Sequence, residues 1–239
     1  MKITSVNNDL IKETSKLLMG KYREENGLFL IEGNKGIEEA ISSGLDIVHI
    51  FSTEGFENHP NRIEVTEPVI KKISDAKTAP KAVAVVKQIA NLWSDNYKKV
   101  ILLEGIKDPG NLGTILRTAA AFELDAIVLY GDTVDIYNPK CVRSAVGNLW
   151  KIPVFKFDSL ELFENFDRVA TLPLVSDSVM LKNYKPSDKT LIMFGSEADG
   201  LSDELKKIAT KNLTIEMSKN VESLNLSVSV ALVAYKFVK

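Results

Sequence analysis

The chain is poor in the residues that most often announce a chemistry. It has one cysteine, Cys141, in 239 residues, so an internal disulfide framework is excluded and a reducing, cytoplasmic setting is expected. The two histidines do not join Cys141 in a convincing zinc cluster: His49 sits in an apolar run and His59 precedes Pro60 in a loop. No metal is therefore expected. No apolar run approaches the roughly 20 residues of a membrane span, and the segment from Met1 to Asp9 lacks the apolar core of a signal peptide. The formal net charge is only −2, without the basic footprint usual of nucleic-acid binders. Lys12, Lys16, Lys21 and Arg23 are the local candidates for a basic patch, and a solvated surface explains them equally well. A phosphate-binding G-x-x-x-x-G-K-[ST] loop is missing, and no G-x-G-x-x-G follows the first strand of either half. These absences disfavour a triphosphate or dinucleotide enzyme. The lack of a G-x-S-x-G elbow disfavours a serine hydrolase.

What is present is an ordinary globular composition, 45% hydrophobic and 26% charged, enough for one large or two modest domains. Apolar runs predict strands over 28–32, 46–51, 62–65 and 81–87, with helices over 5–20, 35–43 and 68–76. Residues 91–99 are mostly polar, with Trp93 and Tyr97 among them, and read as a linker. Beyond it, strands are expected over 100–104, 126–130, 154–157, 169–172, 190–194 and 213–217. Helices are expected over 111–122, 140–146 and 203–209, with a short one near Leu160 and a last one closing the chain. Alternating strands and helices imply an α/β fold with a mostly parallel sheet covered on both faces. The domain boundaries are placed at 1–92 and 98–239.

In open α/β sheets, ligands bind beyond the carboxyl ends of strands. Three such ends carry unusual polar residues: 108–117, 195–200 and 218–225. Asn111 alone is most simply a helix N-cap, and Arg117 falls on nearly the opposite side of that helix. Gly195-Ser-Glu-Ala-Asp-Gly200 alone is a loop. In the last segment Ser223, Ser227 and Ala231 recur at helical spacing and form a small-residue face, suited to packing or to a flat ligand.

In order and spacing, the three segments resemble the motifs of the SpoU (TrmH-type) RNA ribose 2′-O-methyltransferases of the SPOUT superfamily. The motifs correspond to Asn111–Ala119, Ile192–Leu201, and Ile215–Met217 continuing through Ser223–Ala231. The run Tyr22–Gly33 is similar to the family's accessory RNA-binding domain of the ribosomal L30e/L7Ae type. The resemblance implies a C-terminal trefoil knot, S-adenosylmethionine bound within it, and a homodimer whose active site draws on both subunits. It implies catalytic roles for Arg117, Asn111, Glu197 and Asn225. Gly195, Ile215, Leu224, Met217, Gly200 and Ser223 fall at cofactor-contacting positions. The implied reaction is methyl transfer to a ribose 2′-hydroxyl, with ribosomal RNA ahead of transfer RNA as substrate. An assembly protein that keeps the fold and binds RNA without catalysis is the alternative. One departure stands out: Glu216 occupies the place where the family often has proline between Ile215 and Met217.

Overall fold

The structure is a computed structural model describing residues 2–218, 220, 221 and 223–238. Its contacts divide the chain into two compact units: residues 1–90 with 135–150, and residues 91–134 with 151–239. Segment 135–150, which the boundary at 92–98 leaves with the second half of the chain, clusters with the first. No helix among the described residues is long and apolar enough to cross a membrane.

The first unit runs β1 (Lys2–Ile3), α1 (Asp9–Lys16), α2 (Gly20–Asn26), β2 (Leu28–Glu32), α3 (Asn34–Ser42), β3 (Ile47–Ser52), β4 (Arg62–Val65), α4 (Glu67–Lys72) and β5 (Ala82–Lys87). Its mixed sheet has the order β1-β4-β3-β5-β2, with β5 antiparallel to both neighbours. Residues 82–86 are buried throughout, as expected of an interior strand made of small and β-branched residues. The helix expected over 5–20 is two helices. Asn8 caps α1 by accepting from the Leu10 N–H, and the chain turns after Lys16. The buried Arg23 of α2 donates to the Leu17 carbonyl at 2.8 Å and to Asp135 at 2.7 Å. A guanidinium that satisfies a freed carbonyl makes the break tolerable. The lysines of this region do not form a free basic patch. Lys12, Lys16 and Lys21 pair with Asp9, Glu13 and Glu25 respectively.

The second unit contains β6 (Lys99–Glu104), α5 (Pro109–Ala121) and β7 (Ala126–Tyr130). Helix α6 (Pro139–Ala145) follows in the chain but clusters with the first unit, where Arg143 pairs with the buried Glu32 at 2.8 Å and the Trp150 indole N–H donates to Ser43 Oγ at 3.1 Å. The second unit resumes with β8 (Val154–Phe157), β9 (Asp167–Thr171), β10 (Ser178–Met180), β11 (Thr190–Phe194), α7 (Asp203–Ile208), β12 (Lys211–Thr214) and α8 (Leu226–Ala234). Seven strands in the order β10-β12-β9-β11-β6-β7-β8 form a sheet in which every pairing is parallel. The central strands β6 and β11 carry near-continuous apolar runs because both faces of the sheet are covered. The stretch read as a linker is docked. The Trp93 ring lies 5.1–5.7 Å from those of Tyr97, Phe155, Phe157 and Phe163, edge to face in each case.

The final segment differs from its sequence reading in two ways. Strand β12 ends at Thr214, so Ile215 to Ser218 lie beyond the sheet. Helix α8 begins at Leu226, so Ser223 precedes it and does not share a helical face with Ser227 and Ala231. Asn225 stops any earlier start by capping: its Oδ1 accepts from the Ser227 N–H at 2.9 Å. Lys219 and Glu222 of the expected polar turn lie outside the described residues. From β12, beside the edge strand β10, the chain returns to pack α8 on α5. The resemblance places the knot on this return.

Val146, after α6, has a backbone φ of 48°, a left-handed conformation disfavoured for a β-branched residue. The side chain is half exposed, so little packing offsets the strain. Val146→Asn is expected to stabilise the fold by about 1 kcal/mol. Calorimetric melting checks this; an unchanged or lowered midpoint would show that no strain is relieved.

Candidate active site

The carboxyl ends of β9, β11 and β12 open onto a cleft of about 570 Å³. Two of the segments singled out in the sequence line it, and the third is hydrogen-bonded to both; each is shaped by a local rule.

The first loop follows β11. Gly195 approaches its own loop so closely that a Cβ there would lie 1.9 Å from the Gly200 carbonyl carbon. Only glycine permits this contact. The loop is closed by the Gly200 N–H on the Ser196 carbonyl, 3.0 Å, and by the Asp199 N–H on Ser196 Oγ, 3.0 Å. Gly200 turns the chain out at a φ of 68°. The Ser202 N–H is then held at 2.7 Å by Glu104, at the end of β6.

The second segment is the first turn of α5. Its cap is Asp108, which accepts from the Asn111 N–H at 2.8 Å, with Pro109 in the first helical turn. Asn111 is therefore inside the helix and not its cap, as the sequence alone had suggested. This frees its side chain. Nδ2 donates to Glu197 Oε1 at 2.5 Å, and Oδ1 accepts from Asn225 Nδ2 at 3.0 Å. The third segment, 215–225, closes the cleft, with Asn225 both capping α8 and reaching Asn111. Asn225 Oδ1 also accepts from Ser227 Oγ at 2.6 Å, which fixes its amide orientation.

The six residues placed at the cofactor by resemblance, Gly195, Gly200, Ile215, Met217, Ser223 and Leu224, all border the cleft, as do Glu197 and Asn225. Asn111 reaches it through hydrogen bonds to those last two. Arg117 is not among the lining residues. It is exposed on α5 and has no hydrogen-bond or ion-pair partner among the described residues. The sequence reading passed over Thr171, Leu172 and Pro173, which form the wall after β9. The proline after that strand was the available signal, and it gains meaning only once β9 is known to lie beside β11. Among the described residues, no group of histidine, cysteine, aspartate or glutamate is arranged to hold a metal ion.

The fold of this chain is found in RNA methyltransferases of known structure. The S-adenosylmethionine-bound rRNA methyltransferase of Sinorhizobium meliloti superimposes with a TM-score of 0.87 at 26% identity, over 99% of this chain and 97% of the other. The model of the SpoU rRNA methylase family matches residues 98–235, and that of the MRM3-like substrate-binding domain matches residues 8–84. The chain belongs to the SpoU rRNA methylase family. Among its relatives, the 23S rRNA (guanosine(2553)-2′-O)-methyltransferase RlmP of Bacillus subtilis is 30% identical over 98% of each chain. An uncharacterized tRNA/rRNA methyltransferase of Synechocystis is 31% identical over 98% of this chain and 92% of its own.

The close approach at Gly195 makes a direct prediction. Gly195→Ala should force the 195–200 loop apart at a cost of about 1–3 kcal/mol. Hydrogen exchange at 195–201 should accelerate while exchange in the first unit stays unchanged. Wild-type protection of the loop in the variant would show that the crowding is not real.

Proposed function

We propose that this chain transfers a methyl group from S-adenosylmethionine to a ribose 2′-hydroxyl of ribosomal RNA, with 23S rRNA the first target to test. The observation that carries the reading is the hydrogen-bonded run Glu197–Asn111–Asn225 along the rim of the cleft. The cleft suits the methyl donor. Its volume of about 570 Å³ is that of a small-molecule site. Leu172, Phe194, Leu224 and Leu226 offer apolar walls for a base, and Gly195 and Gly200 expose backbone groups to it. Bound there, S-adenosylmethionine supplies a methyl group made electrophilic by its sulfonium, a chemistry that needs no metal.

The chain's own residues have the remaining work of alignment and charge control. Glu197 holds Asn111 Nδ2, which leaves Asn111 Oδ1 to Asn225. The two amides then present a fixed edge that orients the ribose. Orientation at its best limit contributes about 7–11 kcal/mol to such a transfer. Arg117 cannot act as a simple general base, because a guanidinium offers only N–H donors and no lone pair to take up a proton. Its role here is to hold the phosphate beside the target ribose and to stabilise the developing alkoxide, while the 2′-hydroxyl proton passes to solvent and the neutral thioether, S-adenosylhomocysteine, leaves.

Arg117 lies off its own cleft, so the active site is completed by a second copy. Val228, Leu232 and Tyr235 are 46%, 42% and 65% exposed on one side of the C-terminal segment, and Tyr235 packs beside Phe122 just past α5. This apolar face is the surface offered to the partner, and the return of the chain from β12 to α8 is the threaded passage of the knot. The first unit selects the RNA. Transfer RNA is the second reading, favoured by the Synechocystis relative, whose name covers both RNA classes.

Incubation with labelled S-adenosylmethionine and 23S rRNA, ribosomal subunits or transfer RNA should place label on a 2′-oxygen of 23S rRNA. Absence of label from every RNA would overturn the reading. Arg117→Ala is expected to lower kcat at least about 100-fold while cofactor binding is retained; near-normal turnover would remove the role given to Arg117. Leu232→Asp should convert a dimer to a monomer in light scattering, and a wild-type monomer would refute the shared site.

A further inference from the structure

The segment leaving β12 carries a clasp on its outer side. Ile215 and Met217 line the cleft, whereas Glu216 between them does not. Glu216 instead meets Lys182. The Lys182 N–H donates to Glu216 Oε2 at 3.4 Å, and Lys182 Nζ lies 3.5 Å from Oε1. The pair continues the register of β10 and β12, in which Met180 faces Thr214. Where the ladder stops, a side chain takes over from it. The Lys182 carbonyl accepts in turn from Lys236 Nζ at 3.1 Å, in the 3-10 turn after α8. Three segments are thereby tied together: 181–183, 235–237 and the cleft-lining 215–217. Desolvation acts to raise the Glu216 carboxyl, but hydrogen bonds from its own N–H and from Lys182 outweigh it and hold the group below its ordinary value. It is therefore ionised at neutral pH.

We propose that Glu216 is a positioning residue for the methyl donor, pinning segment 215–217 to Lys182 so that Ile215 and Met217 keep their wall of the cleft. This rests on the reading of the cleft as the S-adenosylmethionine site. Glu216 does by a charged side-chain contact what a proline at the same place does by restricting the backbone. The consequence is a cofactor affinity that responds to ionic strength, because an exposed ion pair is screened by salt. The same exposure keeps the effect modest.

The test titrates the full-length protein with S-adenosylmethionine by calorimetry at low and high salt. Glu216→Ala and Lys182→Ala should each weaken binding about two- to fivefold. The double variant should be no worse than either single one. In turnover, Glu216→Ala should raise KM for S-adenosylmethionine and leave kcat at saturating cofactor unchanged. Glu216→Pro should return affinity to the wild-type value and reduce its salt dependence. Lowering the pH through the carboxylate range should weaken wild-type binding toward that of Glu216→Ala, since protonation releases the clasp. Wild-type affinity in Glu216→Ala, or a loss that proline does not recover, overturns the clasp while leaving the cofactor site standing. If the wild-type protein binds no S-adenosylmethionine, the cofactor reading fails first and the clasp with it.

Discussion

The side-chain amide of Asn111 is the contact on which the arrangement of the site depends. An amide has a donor end and an acceptor end in fixed relation. Here the donor end takes Glu197 from the loop after β11, and the acceptor end takes Asn225 from the start of α8. No other residue type of that length offers both ends: aspartate would set a second carboxylate against Glu197, and leucine would leave both partners unsatisfied. The contact joins segments that are 86 and 114 residues from Asn111 in the chain, so it forms only when β11 pairs with β6 and α8 packs on α5.

Each partner reaches Asn111 by a different local device. Asp108 takes the capping position and releases the Asn111 side chain from that duty. Gly195 lets its loop fold flat enough for Glu197 to present its carboxylate. Asn225 is held by Ser227 while it caps α8. The rigid part of this design is the sheet, where β6 and β11 are buried on both faces. The chemistry is left to short connections whose geometry is set by caps, a glycine contact and an ion pair. This division between buried strands and functional strand-end loops is characteristic of open α/β sheets.

The legibility of the fold in the sequence follows the strength of its local signals. Residues 126–130, 154–157 and 190–194 are strands with the boundaries that their largely apolar runs indicate, because polar or turn residues bound each run, and the alternating Arg62–Val65 is a strand as expected. The two-residue β1 and three-residue β10 have too little length for a periodic signal, and they owe their conformation to the strands they pair with, β4 and β12. The break between α1 and α2 was hidden because it depends on Arg23 reaching back to Leu17, a contact that periodicity does not encode. At the site, the three strand-end segments could be singled out as polar, but only the family resemblance joined them. The wall at Thr171–Pro173 stayed invisible because it acquires its place from strand order. The position of Arg117 off the cleft was partly legible, since helical spacing already set it nearly opposite Asn111.

The docking of Trp93 has a spectroscopic consequence. The chain has two tryptophans, and each compact unit holds one. Trp93 packs edge to face against four aromatic rings of the second unit, while the Trp150 indole N–H is bonded to a serine hydroxyl in the first. The two indoles thus sit in surroundings of different polarity. Intrinsic fluorescence therefore carries a separate optical channel for each unit, and a single tryptophan-to-phenylalanine replacement isolates one of them without any attached dye.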